Sequence, residues 1–286
     1  MNQPNTIPDS CRHVSSRTAT PVAVIMSVYG KDDPKLFDRA LTSIENQDYD
    51  DGPVRIYLCI DGPVGTEILD VIRAHEDRIY KIVRNESNLG LARSLNKLLD
   101  ALEDEQFVFR MDSDDYSHAN RVSLQVETMR RRPDVDILGG SIREVDENGR
   151  VMKVVHYPDG SADISKYITR RSPLAHPTVC FRRSAVERFG RYPELPTNQD
   201  WALWFRCLRA GLTLSSIREV LVDMTVTESF FRRRGAKRAL DEFRVLTSGI
   251  WQIHGLSWRF IYPMLRLLFR LAPSGLIKAA YRSRLR

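Results

Sequence analysis

Gln106-Phe107-Val108-Phe109-Arg110-Met111-Asp112-Ser113-Asp114-Asp115 is a short strand-forming run that ends abruptly in three carboxylates. Unpaired negative charge at the rim of a buried sheet is costly unless something positive sits beside it. The spacing Asp112-x-Asp114 suits a hard divalent cation, Mg²⁺ or Mn²⁺, held on one side by carboxylate oxygens and on the other by substrate phosphate oxygens. That combination points to a diphosphate-bearing substrate. The same residues also serve as a turn with N-capping groups ahead of the helical pattern Asn120–Arg132, so the rest of the chain has to separate the two readings.

Strand and helix alternate on the N-terminal side of this run. Val22–Val28, Val54–Ile60 and Ile79–Arg84 read as buried strands, and Phe107–Met111 is the fourth. Between them Pro34–Gln47, Thr66–His75 and Gly90–Leu102 carry apolar residues at helical spacing. Four such repeats predict an α/β fold with a Rossmann-like, mostly parallel central sheet and helices on both faces, whose ligands bind at the carboxyl ends of the strands. After Pro133 the pattern becomes mixed. Ile137–Val145 and Val151–His156 form a hairpin around Glu147-Asn148-Gly149, Val179–Phe181 and Val220–Val226 are strand candidates, and Trp201–Ala210 is a helix closed by Gly211.

Charge and cysteine content narrow the class. The 286 residues, 42% of them apolar, carry 43 basic and 37 acidic side chains. Eight of the basic ones lie between Phe243 and Arg286, a stretch with no Asp or Glu, which leaves 35 basic against 37 acidic residues elsewhere. A body so close to neutral argues against nucleic acid as a partner. Cys11, Cys59, Cys180 and Cys207 are widely spaced with no Cys-x-x-Cys pair, as buried thiols in a reducing compartment would be. Met1–Thr20 is polar, lacks the apolar core of a secretory signal, and is expected to be a disordered leader.

Ser27-Val28-Tyr29, Asp61-Gly62, Asn88-Leu89-Gly90-Leu91-Ala92 and Asp112-Ser113-Asp114-Asp115 follow the successive strands in a fixed order. Together they resemble the nucleotide-sugar half of the family 2 glycosyltransferases, which have the GT-A fold. His176-Pro177-Thr178-Val179-Cys180-Phe181 and Asn198-Gln199-Asp200-Trp201 resemble acceptor-side segments of bacterial members that build surface polysaccharides. The resemblance covers about residues 22 to 234. It divides the chain into a leader (1–20), a nucleotide-sugar half (21–118), an acceptor half (119–235) and a C-terminal tail (236–286).

The resemblance implies roles. Asp112 meets the ribose side of the nucleotide and shares the metal with Asp114, while Asp115 is a supporting partner or a helix cap. Ser27, Tyr29, Asp61, Arg93 and Ser113 are candidate nucleotide-sugar contacts. A carboxylate such as Asp61 accepts bonds from a base imide or ribose hydroxyl, although Asp61 is also a turn-former before Gly62. Tyr29 can lie flat on a nucleobase or sit in the core. Arg93 is placed to reach base or phosphate, or is an ordinary exposed helix arginine. Attack by an acceptor hydroxyl requires a carboxylate base, for which Asp200 is the candidate; a plain N-cap is its other reading. The position before it, often acidic in the family, is Gln199. His176, Trp201 and Arg232 are candidate acceptor or diphosphate contacts, although His176 fits a structural role equally and Trp201 falls on the core stripe Trp201, Trp204, Phe205, Leu208.

The tail has its own pattern. On a helical wheel of Trp258–Leu271, Arg259, Arg266 and Arg270 cluster and apolar residues fill the remainder, interrupted by Pro263. So many arginines disfavour a spanning helix, and a basic amphipathic helix lying on anionic headgroups is expected. The resemblance implies an inverting, metal-dependent enzyme that moves a sugar from a nucleotide-diphosphate donor, expected to be UDP-linked, to a lipid-linked or glycan acceptor. It would work in the cytoplasm, peripheral at the inner face of a bacterial membrane. Two other classes share parts of this pattern: a non-catalytic nucleotide- or carbohydrate-binding subunit, and a sugar-nucleotide nucleotidyltransferase. The latter needs a Gly-rich loop after the first strand, and Ser27-Val28-Tyr29-Gly30-Lys31 has no glycine cluster.

Overall fold

The computed structural model describes residues 19–226 and 236–271. The first half alternates as its periodicity predicts: β1 (Val22–Val28), α1 (Pro34–Glu45), β2 (Val54–Asp61), α2 (Thr66–Ala74), β3 (Ile79–Asn85), α3 (Leu91–Asp100) and β4 (Phe107–Met111). Then come β5 (Tyr116–Ser117), α4 (Arg121–Arg131), β6 (Ile137–Val145), β7 (Val151–Val155), α5 (Ser161–Tyr167), β8 (Cys180–Arg182), α6 (Arg183–Phe189), α7 (Gln199–Arg209) and β9 (Leu214–Thr225). Two helices close the described chain, α8 (Ala236–His254) and α9 (Ile261–Leu271).

The strands form one sheet in the order β3-β2-β1-β4-β8-β6-β9-β5, with β7 paired to β6. β1 is parallel to both β2 and β4, and β2 to β3. At β8 the direction reverses, since β8 is antiparallel to β4 and to β6. β6 and β9 are parallel along most of their length. The result is the GT-A architecture: a Rossmann-like parallel half joined edge to edge with a mixed half.

Alternation along β1 assigns the two cores. Val22, Val24, Met26 and Val28 point to α1, α2 and α4, packing with Phe37, Leu41, Ile68, Val122 and Met129. Ala23 and Ile25 point to the other face, against Leu95 and Leu98 of α3, Trp204 of α7, and Leu246 and Ile250 of α8. Helix starts follow local chemistry. Asp33 accepts from Lys35 N at 2.8 Å and Leu36 N at 3.3 Å, with Pro34 in the first turn of α1.

Two expectations need correction. Thr20, assigned to the leader, is buried, its amide donating to Asp51 O and its carbonyl accepting from Tyr49 Oη. The tail also lies the other way round from the predicted one. Arg266 and Arg270 of α9 both pair with Glu242 of α8, a carboxylate only 4% exposed, so the arginine face turns inward and the apolar face outward. Buried carboxylate attracts guanidinium more strongly than the core attracts leucine, because an unpaired buried charge costs more than an exposed methyl group. Cys59, Cys180 and Cys207 are buried free thiols, and Cys11 lies outside the described residues. Among the described residues no helix is long and apolar enough to cross a membrane.

Candidate active site

The carboxyl ends of β1, β2 and β4 open into a cleft of about 480 Å³, within the usual range for small-ligand sites. It is lined by Ser27 and Tyr29 after β1, Asp61 after β2, Asn88, Gly90 and Leu91 at the start of α3, and Asp112, Ser113 and Asp114 after β4. The far wall is Gln199 of α7, Met224 and Thr225 at the end of β9, and Arg238 of α8. Asp32 completes it.

Each wall is held by a local bond. Gly62 adopts φ +87, and a Cβ there would lie 2.5 Å from Asn88 N, so the β2 loop can touch the α3 loop only because this residue is glycine. Asp61 is buried and fully engaged, accepting from Asn85 Nδ2 at 2.8 Å, Leu89 N at 2.8 Å and Gly90 N at 2.9 Å. It therefore shapes the loop that opens α3. Asp32 accepts from Tyr29 N at 3.1 Å and Ser113 Oγ at 2.8 Å, tying the first loop to the acidic loop. Thr225 clasps that loop from the other side: its amide donates to Asp115 Oδ1 at 3.0 Å and its hydroxyl to Asp114 O at 2.6 Å.

Asp112, Asp114 and Asp115 each bring a carboxylate oxygen within 4.8 Å of the others. Burial, then the charges of Asp112 and Asp32, push the Asp114 carboxyl up to about 6. Burial, then Asp112 and Asp114, also hold the Asp115 carboxyl well above the ordinary range. Asp115 Oδ2 is buried with no hydrogen-bond partner. An all-oxygen donor set with surplus negative charge and an orphaned buried oxygen fits a hard divalent cation.

Sequence reading missed the positive charge already there. Arg110, a guanidinium inside the apolar strand β4, is almost wholly buried and grips both oxygens of Asp112 through Nη1 and Nη2, while its Nε has no partner. Its charge also bears on Asp200, His176 and Tyr192. One buried cation thus binds the acidic loop and acts electrostatically on Asp200.

Asp200 lies in the first turn of α7, which begins after Asn198 in a left-handed conformation (φ 58) that asparagine tolerates better than most residues. Burial raises the proton affinity of Asp200, which the Trp201 amide and Arg110 oppose, and the net shift is upward. A carboxylate so placed is a better proton acceptor than one in water. Its neighbour Gln199, not Asp200 itself, lines the cleft wall.

The other predicted contacts lie elsewhere. Arg93 is on the exposed face of α3, paired with Glu194 at 2.7 Å, and does not line the cleft. His176 is buried, with Nε2 3.0 Å from Tyr192 Oη, and burial followed by the Arg110 charge drives it well below its ordinary range, so it is neutral. Trp201 is buried, donating its indole N–H to Ile168 O at 2.8 Å. Arg232 lies outside the described residues.

Comparison with known proteins gives these residues a family. The profile of "Glycosyl transferase family 2" matches residues 23–190. A protein of Haemophilus influenzae described as an uncharacterized glycosyltransferase is 32% identical over 271 residues, covering 92% of this chain and 98% of that protein. An Escherichia coli protein named UDP-Gal:alpha-D-GlcNAc-diphosphoundecaprenol beta-1,3-galactosyltransferase is 32% identical over 226 residues, covering 78% and 80%. Erwinia amylovora AmsE, an amylovoran biosynthesis glycosyltransferase, is 27% identical over 263 residues, covering 91% and 97%. Among solved structures, Staphylococcus aureus TarS 1-349 in complex with UDP-GlcNAc superposes with a TM-score of 0.65 at 18% identity, covering 88% of this chain and 72% of that one. With the profile spanning more than half the chain and the Haemophilus influenzae and Erwinia amylovora relatives matched over nine-tenths of this chain, this protein belongs to glycosyl transferase family 2 and is a glycosyltransferase.

Proposed function

We propose that the enzyme transfers a sugar from a UDP-linked donor to a lipid-linked or glycan acceptor, with inversion, in bacterial surface polysaccharide synthesis at the inner face of the membrane. The observation that carries this reading is the convergence of the Asp112, Asp114 and Asp115 carboxylates at the cleft beyond the parallel strands, with Arg110 gripping Asp112 and acting electrostatically on Asp200. The galactosyltransferase activity for which the Escherichia coli relative is named supports the donor and acceptor classes.

On this reading the nucleotide enters between Tyr29, Asn88 and Leu91, with its diphosphate toward Asp112 and Asp114. Asp114, with Asp112 and the orphaned oxygen of Asp115, would hold Mg²⁺ or Mn²⁺, which when bound neutralises charge developing on the departing diphosphate. The acceptor oxygen attacks the anomeric carbon as the carbon–oxygen bond to the diphosphate breaks. Asp200 takes the hydroxyl proton, and one displacement inverts the configuration. Arg110 keeps Asp112 oriented throughout, being itself fixed in the core.

The test is transfer from UDP-sugars to a soluble analogue of a sugar-diphosphate lipid, with the product anomer read by NMR. Asp200→Asn should lower kcat by about 10²–10⁴-fold with the donor KM little changed. A folded Asp200→Asn variant at full rate, or a product retaining the donor's configuration, would remove Asp200 from the mechanism.

A further inference from the structure

The outward face of α9 is wholly apolar. At about 100° per residue, Leu271, Met264, Leu268, Ile261, Leu265 and Phe269 occupy one continuous arc of about 160°, and all are exposed. The inward arc holds Pro263, Leu267 and the two arginines bound to Glu242. A helix packed on a soluble protein ordinarily shows the reverse arrangement. The ridge continues into the turn before α9, where Leu256 is 91% exposed and Trp258 66%, and onto the end of α8, where Trp251 is 61% exposed. Arg259 stacks over Trp258 at 5.4 Å.

We propose that this ridge is a bilayer-docking surface: the apolar arc of α9, rimmed by Trp251 and Trp258, enters the interface of an anionic membrane while Arg266 and Arg270 stay locked inward on Glu242. The inference deepens the membrane-face reading given above, by assigning the face that inserts.

Three observations choose lipid over other occupants. Tryptophans at the rim of an apolar surface suit the headgroup level, where one end of the ring is dry and the other wet. From Phe243 to Arg286 the sequence carries eight basic residues and no Asp or Glu, and Arg259 stands over Trp258 at the rim of the ridge, so this part of the chain is basic. A second copy docked about a twofold axis would set this charge against itself, whereas anionic headgroups neutralise it. The 11 described residues of α9 are too few to span a bilayer, and an apolar arc along one side of a helix suits one lying in the plane.

The full chain is mixed with vesicles of phosphatidylcholine alone or with added phosphatidylglycerol, and binding is followed by co-sedimentation and tryptophan emission. Trp201 and Trp204 are buried and stay silent, so a blue shift and quenching by brominated acyl chains report Trp251 and Trp258. Binding to the anionic vesicles with both optical changes is expected. Leu265→Asp with Leu268→Asp should abolish it, with the UDP-induced thermal shift unchanged. The triple variant Glu242→Gln, Arg266→Gln, Arg270→Gln removes the buried charge together with its partners, and should still bind. Loss of binding in that triple variant, if folded, would mean that the arginines face the headgroups and would overturn the proposal. So would equal binding to neutral vesicles, or a stable dimer that ignores vesicles. A protein that binds vesicles but shows no UDP shift would count against the enzymatic reading alone.

Discussion

Replacing Arg110 with methionine keeps the length of the side chain in the core and removes its charge. The Arg110 side chain is 2% exposed and that of Asp112 34%. Deleting one partner of a fully buried ion pair costs about 3–5 kcal/mol, whereas exposed pairs are worth about 0–1 kcal/mol. Asp112 lies between these limits: water reaches part of it, but Asp114 and Asp115 crowd it with like charge. The expected loss without metal is therefore about 2–3 kcal/mol, or a fall of about 3–5 °C in Tm at this chain length. A cation should then repair what the guanidinium no longer supplies, so Mn²⁺ should raise Tm more in Arg110→Met than in the wild type. Arg110→Met combined with Asp112→Asn removes both charges and should recover most of the loss. Thermal unfolding with and without Mn²⁺ measures all of this. Equal Tm for wild type and Arg110→Met without metal, or equal Mn²⁺ increments, would refute the claim that Arg110 is the resident counter-charge of the acidic loop.

Two further outcomes follow from packing and titration. A Cβ on Gly249 of α8 would lie 2.3 Å from the Phe205 ring of α7, so Gly249→Ala should destabilise by about 1–3 kcal/mol from overpacking, although alanine is the better helix former by about 1 kcal/mol; an increase in denaturation midpoint would show that α8 does not seat on α7 as described. His75 joins α2 to α1, with Nδ1 2.7 Å from Glu45 and Nε2 3.0 Å from Asp38. Burial pulls its proton affinity down, but the two carboxylates outweigh burial and the net shift is upward. Its stabilisation is thus complete below the unfolded value of about 6.5 and lost as pH rises through the higher folded value. The stability gap between wild type and His75→Gln should narrow across that window; a gap that widens with pH would contradict the assignment.

The parallel half was legible because β1, β2 and β4 are buried on both faces and read as unbroken apolar runs between helices of clear period. β9 was harder. Its first residues, Leu214–Ile217, precede the charged Arg218 and Glu219, so only Val220–Val226 looked like strand, although pairing with β6 carries the strand back to Leu214. α5 and α6 are seven residues each, too short for helical period to show. In the site, Asp112 and Asp114 announced themselves by spacing, while Asp32 was hidden beside Asp33, whose capping role accounts for an acid there. Arg110 had a signal, a charge inside a buried strand, that strand periodicity alone discounts. Arg238 reaches the cleft from α8, over a hundred residues away in sequence from the loops it faces, and local pattern carries no trace of that approach. The tail misled because a helical wheel tells which residues share a face but not which face turns inward; Glu242, one helix earlier, settles it.

The central claim is that Asp114 binds a cation which in turn binds diphosphate. Calorimetric titration of UDP with and without Mn²⁺, on wild type and Asp114→Ala, tests it most directly. The account predicts that Mn²⁺ tightens UDP binding to the wild type and that Asp114→Ala abolishes this gain while leaving metal-free binding intact. An undiminished Mn²⁺ gain in folded Asp114→Ala, or none in the wild type, would contradict it.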